Sequence, residues 1–199
     1  HLMKLNSCLY LRGDGSPPHV TPDELAAHSD GLICLTGGPD GPIGRLLQAG
    51  QAAKAEALLR RLAAAYPDRF YVELQRHPGG GGQYTEAEQA TERGHVEMAY
   101  ALNLPLVATN DVYFPKPDMY EAHDALICIA EGAYVDQQEP RRRLTPQHYL
   151  KSPDEMGALF ADLPEALENT VEIARRCAFA AQKRAPILPK FADDEVQEL

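Results

Sequence analysis

The chain has 199 residues, of which 44% are hydrophobic and 24% charged. That is enough for one ordinary domain with a sizeable core. The formal net charge of −10 argues against a free-standing DNA-coating surface, which needs a basic face, but leaves nucleic acid open as the client of a larger assembly. No stretch approaches the run of about 18 apolar residues that a spanning helix needs. No secretory leader is visible either, so a cytoplasmic protein with no membrane partner is expected. Cys8, Cys34, Cys128 and Cys177 are far apart and form no C-x-x-C pair. They read as four small buried residues in a reducing compartment, since zinc ribbons and disulfide frameworks need closer spacing.

The first residues, with Leu5, Cys8, Leu9 and Tyr10, read as a short amphipathic helix, so the chain is expected to begin in mid-domain. A loop follows, and its Arg12-Gly13-Asp14 is a turn, not an adhesion signal. Thr21 suits an N-cap, Pro22 the first helical position and Glu24 a capping-box partner. Gly31 to Thr36 is a continuous apolar run ended by Gly37 and Gly38, which predicts a buried parallel strand. Gln51 to Tyr66 is helical, with Ala55, Leu58, Leu59, Leu62 and Tyr66 on one stripe.

Phe70 to Leu74 is the second strand, and alternation puts Glu73 on the face of Tyr71 and Gln75. The four glycines Gly79 to Gly82 lack the spacing of a phosphate-cradling loop and predict a surface loop. Glu86 to Leu102 is helix on Ala87, Ala90, Gly94, Met98 and Ala101. Leu104 to Thr109 is a third short strand. Asp118 to Glu131 is helix on Ala122, Ala125, Leu126 and Ile129. A polar stretch with Arg141, Arg142 and Arg143 leads to two helices, about Ser152 to Phe160 and Pro164 to Cys177, and then to an extended tail. Three apolar strands alternating with helices are the signature of an α/β fold with a parallel sheet. They are too few to close a barrel, so half of an α/β domain followed by a small helical segment is expected. Its open strand edges favour self-association.

In α/β proteins ligands collect at the carboxyl ends of parallel strands. His77 and Asp111 lie just past two of those ends and are the candidate metal ligands. The competing reading is a loop histidine and a turn former, because catalytic zinc takes about three protein ligands. His19, His28, His95, His123 and His148 have no His or Cys partner at ligand spacing, and read as surface or core residues. Arg141, Arg142 and Arg143 read either as a phosphate-backbone contact or as a solvated loop with local salt bridges. No Ser/His/Asp triad, P-loop or dinucleotide fingerprint is found.

Gly31 to Gly38, Asp68 to His77 and Leu106 to Asp111 resemble, in order and spacing, the PHP (polymerase and histidinol phosphatase) domain of bacterial replicative DNA polymerases. Tyr149 to Met156 and Asn169 to Cys177 resemble the segment just beyond that domain in the same enzymes. The resemblance implies the C-terminal strands of a distorted (β/α)7 barrel over residues 1–135. A helical segment over 136–180 leading toward the polymerase palm and a linker over 181–199 would follow. It also implies that His77 and Asp111 occupy family ligand positions, with zinc or manganese as the metal. Gly38 and Tyr113 stand where metal-competent relatives often have Cys and His, so a vestigial site is expected. The parent would be a DNA-directed DNA polymerase, whose Mg²⁺ ions sit in the palm outside this chain. The domain would be a scaffold contacting a proofreading exonuclease subunit and other replicase subunits. The alternative is a metal-dependent 3′–5′ exonuclease or phosphoesterase.

Overall fold

The computed structural model describes residues 1–11, 15, 17–79, 84–137 and 144–186. The expected turn at Arg12 to Asp14, Gly80 to Gly82 of the glycine run, Arg141 to Arg143 and the last part of the tail lie outside the described residues. In chain order come α1 (Leu2–Cys8), α2 (Pro22–Ala27), β1 (Cys34–Leu35), a 3-10 turn (Gly38–Asp40), α3 (Pro42–Gln48) and α4 (Ala52–Ala65). Then follow β2 (Phe70–Gln75), α5 (Glu86–Ala101), β3 (Leu106–Thr109), α6 (Tyr120–Glu131), α7 (Pro153–Leu159) and α8 (Pro164–Arg176). The α/β class is as expected, and α3 is an addition that the sequence did not signal.

The strands form one parallel sheet in the order β1-β2-β3. Cys34 aligns with Phe70 in one pair, and Val72 with Leu106 through Gln75 with Thr109 in the other. β2 is central and buried on both faces. α3 and α4 connect β1 to β2, and α5 connects β2 to β3. The core joins Ala55, Leu59, Leu62 and Tyr66 of α4 and its end to Phe70, Val72 and Leu74 of β2, with Leu106, Ala108 and Phe160. The α4 stripe is the expected one, because a single apolar face at 3.6-residue spacing has one way to bury. β1 is shorter than its apolar run, and Leu35 is 38% exposed, since an edge strand has only one neighbour. The outer edge of β3 is covered. α8 packs along it, and Asn169 Nδ2 donates to Leu106 O at 2.8 Å, which satisfies a carbonyl turned away from β2.

Two helices bury a different face from the one their apolar residues predict. The buried residues of α5 are Glu88, Thr91, His95 and Ala99, one position along from the expected stripe. Thr91 Oγ1 donates to Ala87 O within its own helix, so it reaches the interior without an orphaned hydroxyl. α6 buries Asp124 and Cys128 and leaves Leu126 and Ile129 exposed. Among the four free cysteines only Cys128 is buried, and Cys177 is exposed. Capping boxes start α2 at Thr21 with Glu24, α5 at Thr85 with Glu88, and α7 at Ser152 with Glu155. α6 ends on Gly132 at φ 67°, where its N–H reaches Cys128 O.

Arg76 joins the sheet to the C-terminal helices. It follows β2, is 4% exposed, and spreads its guanidinium over three partners. Nε and Nη2 donate to the Glu92 carboxylate of α5 at 3.0 and 2.6 Å. Nη1 and Nη2 donate to Asp162 between α7 and α8 at 2.6 and 2.8 Å, and Nη1 also donates to Leu159 O. The Phe160 ring lies below at 4.6 Å, a cation–π contact. The Asp162 bond is the largest of the effects that raise the pKa of Arg76 above its ordinary value.

Arg76→Met keeps the stem but leaves the half-buried Glu92 carboxylate unpaired. It is expected to destabilise the fold by about 3 kcal/mol in urea unfolding. Arg76→Lys should recover only part of this, because one ammonium cannot fork to two carboxylates. His95 carries a second expectation. It is 1% exposed, its Nε2 has no partner among the described residues, and burial pushes its pKa down from 6.5 to about 4. Between those values the unfolded chain takes up a proton that the folded chain refuses. Stability is therefore complete above pH 6.5 and falls as pH drops toward 4, by roughly 3 kcal/mol. His95→Leu should flatten that part of the stability–pH curve; an unchanged slope would exclude His95 as its source.

Candidate functional site

The carboxyl ends of the strands meet around one carboxylate. Glu73, on central β2 and 8% exposed, accepts from Gly37 N at 2.9 Å beyond β1 and from Thr109 Oγ1 at 2.5 Å on β3. Gln75 Nε2 adds a third donor at 3.2 Å, and Glu73 N donates to Thr36 Oγ1. Glu73 thus ties the ends of all three strands together. Its acceptor positions are engaged, so it is a structural carboxylate and not a free base. Its charge, after burial, helps push the Cys34 thiol up to about 11, which keeps that sulfur protonated and unreactive.

Beside this network lies a cavity of about 280 Å³, lined in part by Asp40, His77, Asp111, Tyr113, Thr145 and His148. The structure therefore brings His77 and Asp111 together, although they are far apart in sequence. Gly38 follows β1 at φ 58°, and a Cβ built there would meet the Gln75 side chain at 2.8 Å. Gln75 fills the space beside Gly38, where a larger residue would have to displace it.

His77 is 2% exposed and held from one side. Its Nδ1 lies 2.6 Å from Glu88 Oε1, while Glu88 Oε2 accepts from the backbone N–H groups of His77 and Thr85. Burial alone would raise the Glu88 pKa, but the bonds from His77 and Thr85 outweigh it and hold the pKa below its ordinary value. The carboxylate is thus an acceptor, and Nδ1 carries the proton between them. The helix-capping glutamate of α5 is the same residue that orients the site histidine. Among the described residues His77 Nε2 has no hydrogen-bond partner.

His148, which its spacing alone marks as a surface or core residue, lines this site. Its ring stacks on that of His77, with centroids 3.9 Å apart and planes 5° apart. Burial lowers its pKa, and the neighbouring His77 adds to that. His95 lies in the core, as expected of it. His123 packs near the rings of Tyr113 and Phe114. Nothing in the spacing of His148 could have revealed its role, because Tyr113 N must first bond His148 O at 2.9 Å to bring it there. Asn110 Nδ2 fixes the same segment by donating to Tyr149 O.

The zinc or manganese that the resemblance implies needs three or more convergent donors. Among the described residues no three His, Cys, Asp or Glu side chains are placed to hold a metal ion. Parallel rings cannot aim two lone pairs at one point. Gly38 contributes no donor. The described residues do not by themselves fit the group.

Residues 1–77 match the family model "PHP domain". The wider match is to DNA polymerase III alpha subunits. The chain is 53% identical to the one from Caulobacter vibrioides over 192 residues, 96% of this chain. It is 47% identical to that of Pseudomonas aeruginosa over 173 residues, 85% of the chain. It is 38% identical to that of Escherichia coli over 192 residues, 96% of the chain. The chain spans 16%, 14% and 16% of those relatives' own lengths. No helix among the described residues is long and apolar enough to cross a membrane.

Glu73→Leu would leave the Gly37 N–H and the Thr109 hydroxyl without their acceptor. A loss of roughly 3 kcal/mol in thermal or urea unfolding is expected. Glu73→Gln, which keeps one acceptor oxygen, should lose less; equal losses would show that packing and not hydrogen bonding sets the effect.

Proposed function

We propose that this chain is a structural piece of a bacterial replicative DNA polymerase, with no activity of its own. In this reading its strands belong to a PHP-type distorted (β/α)7 barrel whose metal site is vestigial. The observation that carries it is the parallel stack of His77 on His148 at the strand ends, whose ring planes cannot share one metal ion. The parent polymerase would transfer nucleotides with Mg²⁺ held in its palm, outside this chain, and would meet DNA there. This segment would stabilise the polymerase and contact a proofreading exonuclease subunit and other replicase subunits. Arg141, Arg142 and Arg143 are proposed as a secondary nucleic-acid contact.

A second reading, a metal-dependent 3′–5′ exonuclease or phosphoesterase, is favoured by one observation. Glu88 on His77 Nδ1 is the arrangement that orients metal-ligating histidines elsewhere. The test is metal content and 3′–5′ nuclease activity of the full-length polymerase, purified without chelator and with the proofreading subunit removed. The structural reading expects less than one zinc or manganese per chain, and His77→Ala or Asp111→Ala without effect on nuclease activity. Two or three metal ions lost in either variant, together with tenfold or greater loss of nuclease activity, would overturn it.

A further inference from the structure

Residues 144–151 return across the strand ends after α6 and are fixed there on two sides. On one side they pair with the segment after β3. Tyr113 N donates to His148 O at 2.9 Å, Leu150 N donates to Phe114 O at 3.0 Å, and Phe114 and Tyr149 form a parallel bridge. Lys151 Nζ adds a bond to Asn110 Oδ1 at 3.0 Å. On the other side, toward the end of β2, the contact is the parallel stack of His148 on His77.

We infer that this stack is a metal-free tie, in which His148 clamps the 144–151 segment onto β2 through its flat face and not through a shared metal ion. The inference rests on the structural reading above and deepens it. The two rings are fixed from outside the stack. His77 Nδ1 is held on Glu88 Oε1 at 2.6 Å. His148 Nδ1 is held within its own turn, 3.1 Å from Thr145 N, 2.9 Å from Thr145 Oγ1 and 3.2 Å from Thr145 O. The ring planes are 5° apart with centroids at 3.9 Å. A metal ion about 2.0–2.1 Å from one imidazole nitrogen and in its ring plane lies well out of the plane of the other ring. The geometry suits stacking and defeats chelation. With both rings buried, their contact also excludes water from the gap between the two segments.

The test is amide hydrogen exchange of the 199-residue chain by NMR, with and without equimolar Zn²⁺. The readouts are the amides of Tyr113 and Leu150, with Val72 of β2 as the control for intact folding. His148→Ala is expected to speed exchange at Tyr113 and Leu150 at least tenfold and to leave Val72 unchanged. His148→Phe, which keeps a flat face but cannot bind metal, should match the unsubstituted chain. Zn²⁺ should change none of these rates. Unchanged exchange in His148→Ala, or Phe behaving like Ala, would overturn the tie and leave the structural reading standing. Stoichiometric Zn²⁺ binding that slows exchange in the unsubstituted chain but not in His148→Phe would overturn both.

Discussion

A guanidinium buried to 4% exposure must be neutralised from every side, and the architecture around Arg76 follows from that demand. Arg76 stands where β2 ends, so its partners must come from elements that pass that point. α5 supplies Glu92, and the turn between α7 and α8 supplies Asp162 and Leu159 O. The charge therefore fixes where the C-terminal helices sit on the sheet. Apolar packing of Phe160 and Leu163 would hold them close, but burial alone has no direction. The forked hydrogen bonds supply the direction. Arg176 on Tyr71 OH and Asn169 on Leu106 O repeat the same device along α8.

The residue after Arg76 is His77, so the clamp also places the site. Arg76 and His77 both bond α5, one through Glu92 and one through Glu88, which are four residues apart and share a helix face. Glu88 closes the capping box of α5 with the same carboxylate. One helix start thus serves folding and site geometry together. A change at Glu88 would act on both, which is why its effect alone could not assign a function to His77.

The strand ends illustrate how a polar interior becomes structural. Glu73 receives donors from beyond β1, from β2 and from β3, so its charge is distributed over the sheet and not directed into the cavity. Gln75 fills the space left by Gly38. His148 covers His77. Glu73, Gln75, His77 and His148 thus each meet another protein group at the strand ends.

Alternation of apolar strands and helices established the α/β class, the α4 core stripe and the places where β2 and β3 end, because these depend on local periodicity. The order of Gly31 to Gly38, Asp68 to His77 and Leu106 to Asp111 carried the resemblance to PHP domains and singled out the pair His77 and Asp111. The buried face of α5 was not legible. Glu88, Thr91 and His95 look like surface residues until their partners are known, and their burial is tolerable only with those partners in place. α6 misled for the converse reason, since Leu126 and Ile129 imply a covered face that lies open in the structure. Arg76 and His148 were invisible as key residues, because their roles rest on contacts 86 and 71 positions away, with Asp162 and His77. Local sequence determined the elements, because helix and strand periodicity are properties of neighbouring residues. Tertiary structure alone decided which polar groups could be buried, because a buried charge or imidazole is stable only when distant segments deliver its partners.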